Sequence, residues 1–146
     1  MARITVHLHG RPKDKALRIV IEEHARRLSG RGVKLLCHED KSNNDFEDRL
    51  LKLNGNLILL DESGISMNSI EFSKLIAEVS LASSDLEFAV ASADGFSEAM
   101  RQNSTSLISL SKMTMPHELA AAVLMEQLYR ASEINRGSPY HRQERQ

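Results

Sequence analysis

Apolar and polar positions alternate through the chain in two distinct periods. Ile4, Val6 and Leu8 are separated by polar residues, which predicts a strand with one buried face. From Asp14 to Leu28 the apolar positions Leu17, Val20, Ile21, Ala25 and Leu28 follow helical spacing, and Gly30 and Gly32 end the run. Val33 to Cys37 predicts a second short strand. Asn44 to Leu53 predicts a short helix, preceded by the capping residues Ser42 and Asn43 and closed by Asn54-Gly55. Leu57 to Leu60 is continuously apolar, as a strand buried on both faces should be. The same reasoning gives a helix over Ser69 to Leu81, a buried strand over Leu86 to Ala91, a helix over Gly95 to Gln102 and a strand over Leu107 to Leu110. A last helix runs from Pro116 to about Asn135. Strands alternating with helices imply an α/β fold, a parallel sheet flanked by helices on both faces.

Length bounds this picture to a single domain over residues 1–146. Cys37 is alone, so neither a disulfide framework nor a cysteine metal site is expected. His7 and His9 share a strand face, yet no third ligand follows at metal spacing, so no metal is expected. No apolar run is long enough to span a bilayer and no signal-peptide core opens the chain, so a cytoplasmic protein without membrane contact is expected.

The net charge of −1 conceals an uneven distribution. Residues 1–34 carry nine Lys/Arg against three acids, residues 35–129 six against fifteen, and residues 130–146 four against two. Phosphate affinity comes from local cation clusters, so the basic ends permit a nucleic-acid footprint that the total hides. Charge alone equally fits ordinary solvated helix faces.

Three loops follow strands beyond residue 60: Asp61 to Met67, Ala91 to Gly95 and Leu110 to Met115. Ligands of open parallel sheets gather beyond the carboxyl ends of strands, which makes these loops the expected site. Pro116 opens the last helix, where its missing N–H costs nothing. That helix carries Ala120 to Met125 without a polar interruption. A helix apolar on more than one face must be covered on more than one side, and a partner subunit is expected to supply one cover. Glu126 and Arg130, four apart, should form an ion pair, and His117 should be structural or a supporting contact behind the site. Ser111 and Thr114 lack a partnered base, and no glycine-rich phosphate loop occurs.

The segment Leu110 to Arg142 resembles the ribosomal RNA large subunit methyltransferase H family of the SPOUT class. Thr114, Pro116, His117, Glu126, Leu128, Tyr129, Arg130, Ala131, Pro139, Tyr140, His141 and Arg142 carry the likeness. It is dense from Leu107 onward, fair around Ile58 to Asp61 and loose over the first fifty residues. The resemblance implies a SPOUT-type sheet with a C-terminal trefoil knot. It also implies S-adenosylmethionine as cofactor, and methylation of N3 of a pseudouridine in 23S ribosomal RNA by a homodimer. On the same carry-over, Leu60, Ser92, Leu110, Ser111, Lys112, Met113, Thr114 and Met115 bind the cofactor. Tyr140, His141 and Arg142 serve catalysis from a tail that completes the partner subunit's site. Tyr140 would stack on a base, Arg142 would grip phosphate, and His141 would donate a hydrogen bond or take a proton.

Two departures qualify the likeness. Where the family usually has Gly-Gly-Pro-Glu-Gly, this chain has Ala91-Ser92-Ala93-Asp94-Gly95, and Ser138 stands where the family often has His. Paired glycines let a backbone approach a ligand closely, and Ala91 and Ser92 are the smallest replacements. Asp94 is also a candidate N-cap for the following helix. The competing readings are a non-catalytic RNA- or ribosome-binding homologue that has lost the cofactor through this loop, and a SPOUT enzyme with another RNA target.

Overall fold

A computed structural model describes residues 3–142. Its five strands are β1 (Ile4–His9), β2 (Val33–His38), β3 (Asn56–Ser66), β4 (Leu86–Val90) and β5 (Ser106–Ser109). The five α-helices are α1 (Lys15–Leu28), α2 (Asn43–Leu51), α3 (Ser69–Leu81), α4 (Glu98–Asn103) and α5 (His117–Asn135). All strand pairs are parallel, in the order β2-β1-β4-β3-β5. The fold is the expected α/β sheet flanked by helices.

The period-2 pattern of the strands divides the core in two. Ile58 and Leu60 of β3, with Leu86, Phe88 and Val90 of β4 and Ile4, Val6 and Leu8 of β1, face α1, α3 and α5. Leu57 and Leu59 of β3 and Ala89 of β4 point the other way, against Phe46 and Leu50 of α2 and against Phe96 and Met100. A sheet buried on both faces needs apolar side chains in both phases, which is why β3 carries four consecutive apolar residues after Asn56.

Helix starts follow local capping chemistry. Asp14 caps α1 by accepting from the Leu17 N–H, Ser42 caps α2, and Asn68 with Glu71 forms a capping box on α3. The fourth helix departs from expectation. It begins at Glu98 rather than Gly95, and its cap is Ser97, which accepts from the Met100 N–H. Asp94 is therefore not the cap. Its carboxylate accepts instead from the Asn43 side chain at 3.1 Å.

The segment expected as a loop after Leu60 is largely strand. Leu60 and Ile65 both pair with Ile108 of β5, so residues 61–64 are thrown out of the ladder as a bulge before β3 resumes. Gly64 permits this. A Cβ there would lie 2.5 Å from the Leu107 backbone, closer than any side chain can approach.

The last helix is partly covered within the chain. It packs against α1 and α3 as well as towards the sheet, burying Ala121, Ala122, Leu124, Met125, Leu128 and Ala131. Leu119 stays 37% exposed and Val123 half-buried.

On the α2 side of the sheet, His7 and His9 do share a face, with separate partners. Buried His7 donates through Nε2 to the Glu87 carboxylate at 2.7 Å, and its Nδ1 meets His38 Nε2 at 2.8 Å. Burial first, then the neighbouring His7 and Arg49, holds the His38 imidazole below its ordinary pKa. His9 donates to the Asp40 carbonyl and stacks on Phe46. Removing His7 leaves a buried carboxylate without its donor. We expect His7→Ala to lower stability by about 3 kcal/mol in equilibrium urea unfolding. Adding Glu87→Leu should restore part of that loss, and an undiminished loss in the double variant would show that packing, not the carboxylate, sets the cost.

Candidate active site

Beyond the carboxyl ends of β3, β4 and β5 lies an open cleft of about 810 Å³, within the range of small-molecule sites. Each strand contributes its end and the residues after it. From β3 come Leu60 and the bulge residues Asp61, Glu62 and Ser63, and from β4 come Val90 and the loop Ala91, Ser92, Ala93, Gly95 and Phe96. From β5 come Ser109, Leu110, Ser111, Met113, Thr114 and Met115, and α5 closes one wall with Pro116, His117 and Ala120.

Seven of the eight residues assigned to the cofactor by resemblance thus come together: Leu60, Ser92, Leu110, Ser111, Met113, Thr114 and Met115. Lys112 does not. It is exposed and lies outside the lining, although its neighbours on both sides belong to it.

The loop after β5 is held by its own serines. Ser109 Oγ donates to the Ser111 carbonyl at 2.8 Å, and Ser111 Oγ accepts the Met113 N–H at 3.0 Å. Ser111 therefore shapes the loop. Met113 stands largely exposed beside the cleft, a flexible apolar cover. The start of α5 is fixed from the far side, where the Glu118 carboxylate accepts the Lys13 and Asp14 N–H groups at 2.9 Å each. Those bonds, the Lys13 one foremost, hold the Glu118 carboxyl below its usual range.

The strand-end pattern did not single out Asp61 and Arg101, which add a charged pair to the cleft. Arg101 Nε donates to Asp61 at 2.9 Å, while the Ser63 hydroxyl and N–H donate to the other carboxylate oxygen. Burial raises the Asp61 pKa, but the donors from Ser63 and Arg101 outweigh it and keep the carboxylate ionised. The signal for this pair lay in tertiary contact across forty positions, which no local pattern exposes.

The tail sits elsewhere. Tyr140 donates its hydroxyl to Glu126 at 2.8 Å, its ring meets the Tyr129 ring edge-on, and the Arg130 guanidinium lies over it at 4.9 Å. Glu126 and Arg130 form the expected ion pair, at 2.8 Å. Arg130 also reaches His141 Nδ1 at 3.1 Å. A guanidinium can only donate, so His141 Nδ1 accepts, and the proton of the neutral ring is on Nε2. Arg142 is exposed. None of the three tail residues lines the cleft of its own chain.

Comparison with known proteins agrees with this geometry. The family model described as predicted SPOUT methyltransferase matches residues 2–141. A ribosomal RNA large subunit methyltransferase H from Prochlorococcus marinus subsp. pastoris is 35% identical over 140 residues, covering 96% of each chain. This chain belongs to that methyltransferase family. The corresponding protein of Clostridium novyi is 32% identical, covering 95% of this chain and 99% of its own. Among solved structures, the tRNA (m1G37) methyltransferase from Aquifex aeolicus superposes with a TM-score of 0.58 over 99% of this chain and 77% of its own. At 13% identity that likeness concerns the SPOUT fold alone.

The docking of the tail has a pH signature. Burial raises the Glu126 pKa, but hydrogen bonds from Arg130 and Tyr140 outweigh it and leave the carboxyl below its ordinary value. A depressed folded-state pKa contributes stability above the unfolded value, about 4.3, and loses it as pH falls through the folded value. NMR signals of Tyr140 should therefore stay in their docked positions down to about pH 4.3 and move to free-chain positions below it. Glu126→Gln should loosen the tail at neutral pH and abolish that acid transition.

Proposed function

We propose that this chain transfers a methyl group from S-adenosylmethionine to N3 of a pseudouridine in 23S ribosomal RNA, as a homodimer whose tails complete the partners' sites. The observation that carries the reading is the cleft at the ends of β3, β4 and β5, where the residues matched to the family's cofactor loops converge. The family membership supplies the reaction class. The passage from the sheet edge at β5 across the strand ends to α5, which packs between α1 and α3, is the part we assign to a trefoil knot. No helix among the described residues is long and apolar enough to cross a membrane.

The residues present suit the cofactor. Leu60, Leu110, Met113 and Met115 provide apolar walls, while the close-packed turn at Gly64 admits the bulge that shapes the floor. S-adenosylmethionine supplies an electrophilic methyl group on a sulfonium sulfur when bound. The chain's task is to bind it, exclude water and hold the target nitrogen in line, the kind of positioning that accounts for large rate gains. In the docked tail, His141 presents a donor at Nε2, which suits holding a base oxygen.

Tail geometry supports a second subunit better than the apolar helix does. The tail docks at Glu126 and Arg130, whereas the cleft touches α5 at Pro116, His117 and Ala120. At 1.5 Å per residue these positions are about 9 to 21 Å apart along the helix. A docked tail is thus displaced from its own cleft and available to another.

Calorimetric titration with S-adenosylmethionine tests the cofactor assignment. The parent should bind, and Ser92→Leu should abolish binding by filling the cleft. A parent that does not bind would favour the non-catalytic homologue. Truncation after Gly137 should leave cofactor affinity nearly unchanged while methyl transfer to ribosomes falls roughly 100-fold or more. Arg142→Ala should weaken substrate capture and reduce the salt slope by about one. In mixed dimers, truncated subunits should be rescued by subunits blocked at Ser92. Verified heterodimers without activity would sink the shared-site model.

A further inference from the structure

The cleft wall formed by the loop after β4 is tied from behind by α2, a helix that contributes no residue to the cleft lining. Asn43, the first residue of α2, bridges two members of the loop. Its amide nitrogen donates to Asp94 Oδ2 at 3.1 Å, and its carbonyl oxygen accepts the Ser92 hydroxyl proton at 2.5 Å. The orientation follows from chemistry. An ionised carboxylate can only accept, so the amide nitrogen must face Asp94 and the oxygen must face Ser92. One turn further along α2, Glu47 accepts the Ser97 N–H at 2.9 Å and its hydroxyl at 2.6 Å. Within the loop, the Gly95 N–H returns to the Ser92 carbonyl at 3.0 Å, a turn that Gly95 permits with φ of +75°. Both ends of the stretch 92–97 are thereby anchored to one helix.

Ser92 has a single hydroxyl proton, and Asn43 takes it. What remains is acceptor capacity only. A serine in this wall would otherwise rotate freely, offering the cleft a donor or an acceptor in any staggered position. We propose that Asn43 is a positioning residue for the cofactor cleft, acting through Ser92: it draws the hydroxyl towards α2 and leaves the Ser92 side chain able to accept but not donate a hydrogen bond. S-adenosylmethionine suits such an acceptor, because its adenine amino group, ribose hydroxyls and ammonium group are all donors. This rests on the cofactor reading above.

A double-mutant cycle on the full-length protein tests it, with S-adenosylmethionine affinity read by calorimetry and folding by thermal unfolding. Asn43→Ala should weaken binding about tenfold with Ser92 present, and less than twofold when Ser92 is already Gly, because no hydroxyl is left to orient. Asn43→Gln, which keeps the amide but displaces it by one methylene, provides a second and gentler variant with the same expected dependence on Ser92. Equal losses in both backgrounds would overturn the proposal, since Asn43 would then act through α2 or Asp94 alone. No loss in the parent background would overturn it as well. A parent that binds no S-adenosylmethionine would remove the cofactor reading and this proposal together, an outcome distinct from binding without coupling.

Discussion

The register of β5 against β3 is the constraint on which the site depends. Because Leu60 and Ile65 both pair with Ile108, four residues are expelled from the ladder at the point where the strand would otherwise leave the sheet. Asp61, Glu62 and Ser63 enter the cleft wall by that expulsion. Gly64 makes it possible by lying against the Leu107 and Ile108 backbone with no room for a side chain. The Asp61–Arg101 bond then ties the bulge to α4, so the first wall of the cleft is braced by a charged hydrogen bond of 2.9 Å.

The other two walls are braced in the same indirect way. Helix α2 holds the loop after β4 through Asn43 and Glu47, and the loop between β1 and α1 holds the start of α5 through Glu118. The first fifty residues thus support a cleft that they do not line.

The altered loop Ala91-Ser92-Ala93 fits the same picture. Ser92 brings a hydroxyl into this wall, and α2 engages it. The open cleft persists at about 810 Å³ with Ser92 in its wall. The tail has its own support on Glu126, Arg130 and Tyr129, which gives order to a segment whose composition alone suits a free end.

Sequence periodicity was enough to place all five strands and five helices, because each element buries one or two faces against a common sheet and must show the matching period. It also picked out the segments Ala91 to Gly95 and Leu110 to Met115 that line the cleft, since strand ends in a parallel sheet are where ligands gather, whereas Leu60 and Ser92 were named only through the family resemblance. The Glu126–Arg130 pair was legible for the same local reason, four residues being one helical turn. Three features were decided only by tertiary structure. The bulge after Leu60 depends on the β5 register, which no run of residues within β3 encodes. The cover of α5 by α1 and α3 depends on how those helices pack, which a helix read in isolation does not show. The roles of Asn43, Arg101 and Asp94 depend on contacts between segments forty to fifty residues apart, and hydrogen bonds across such distances leave no periodic trace in a sequence.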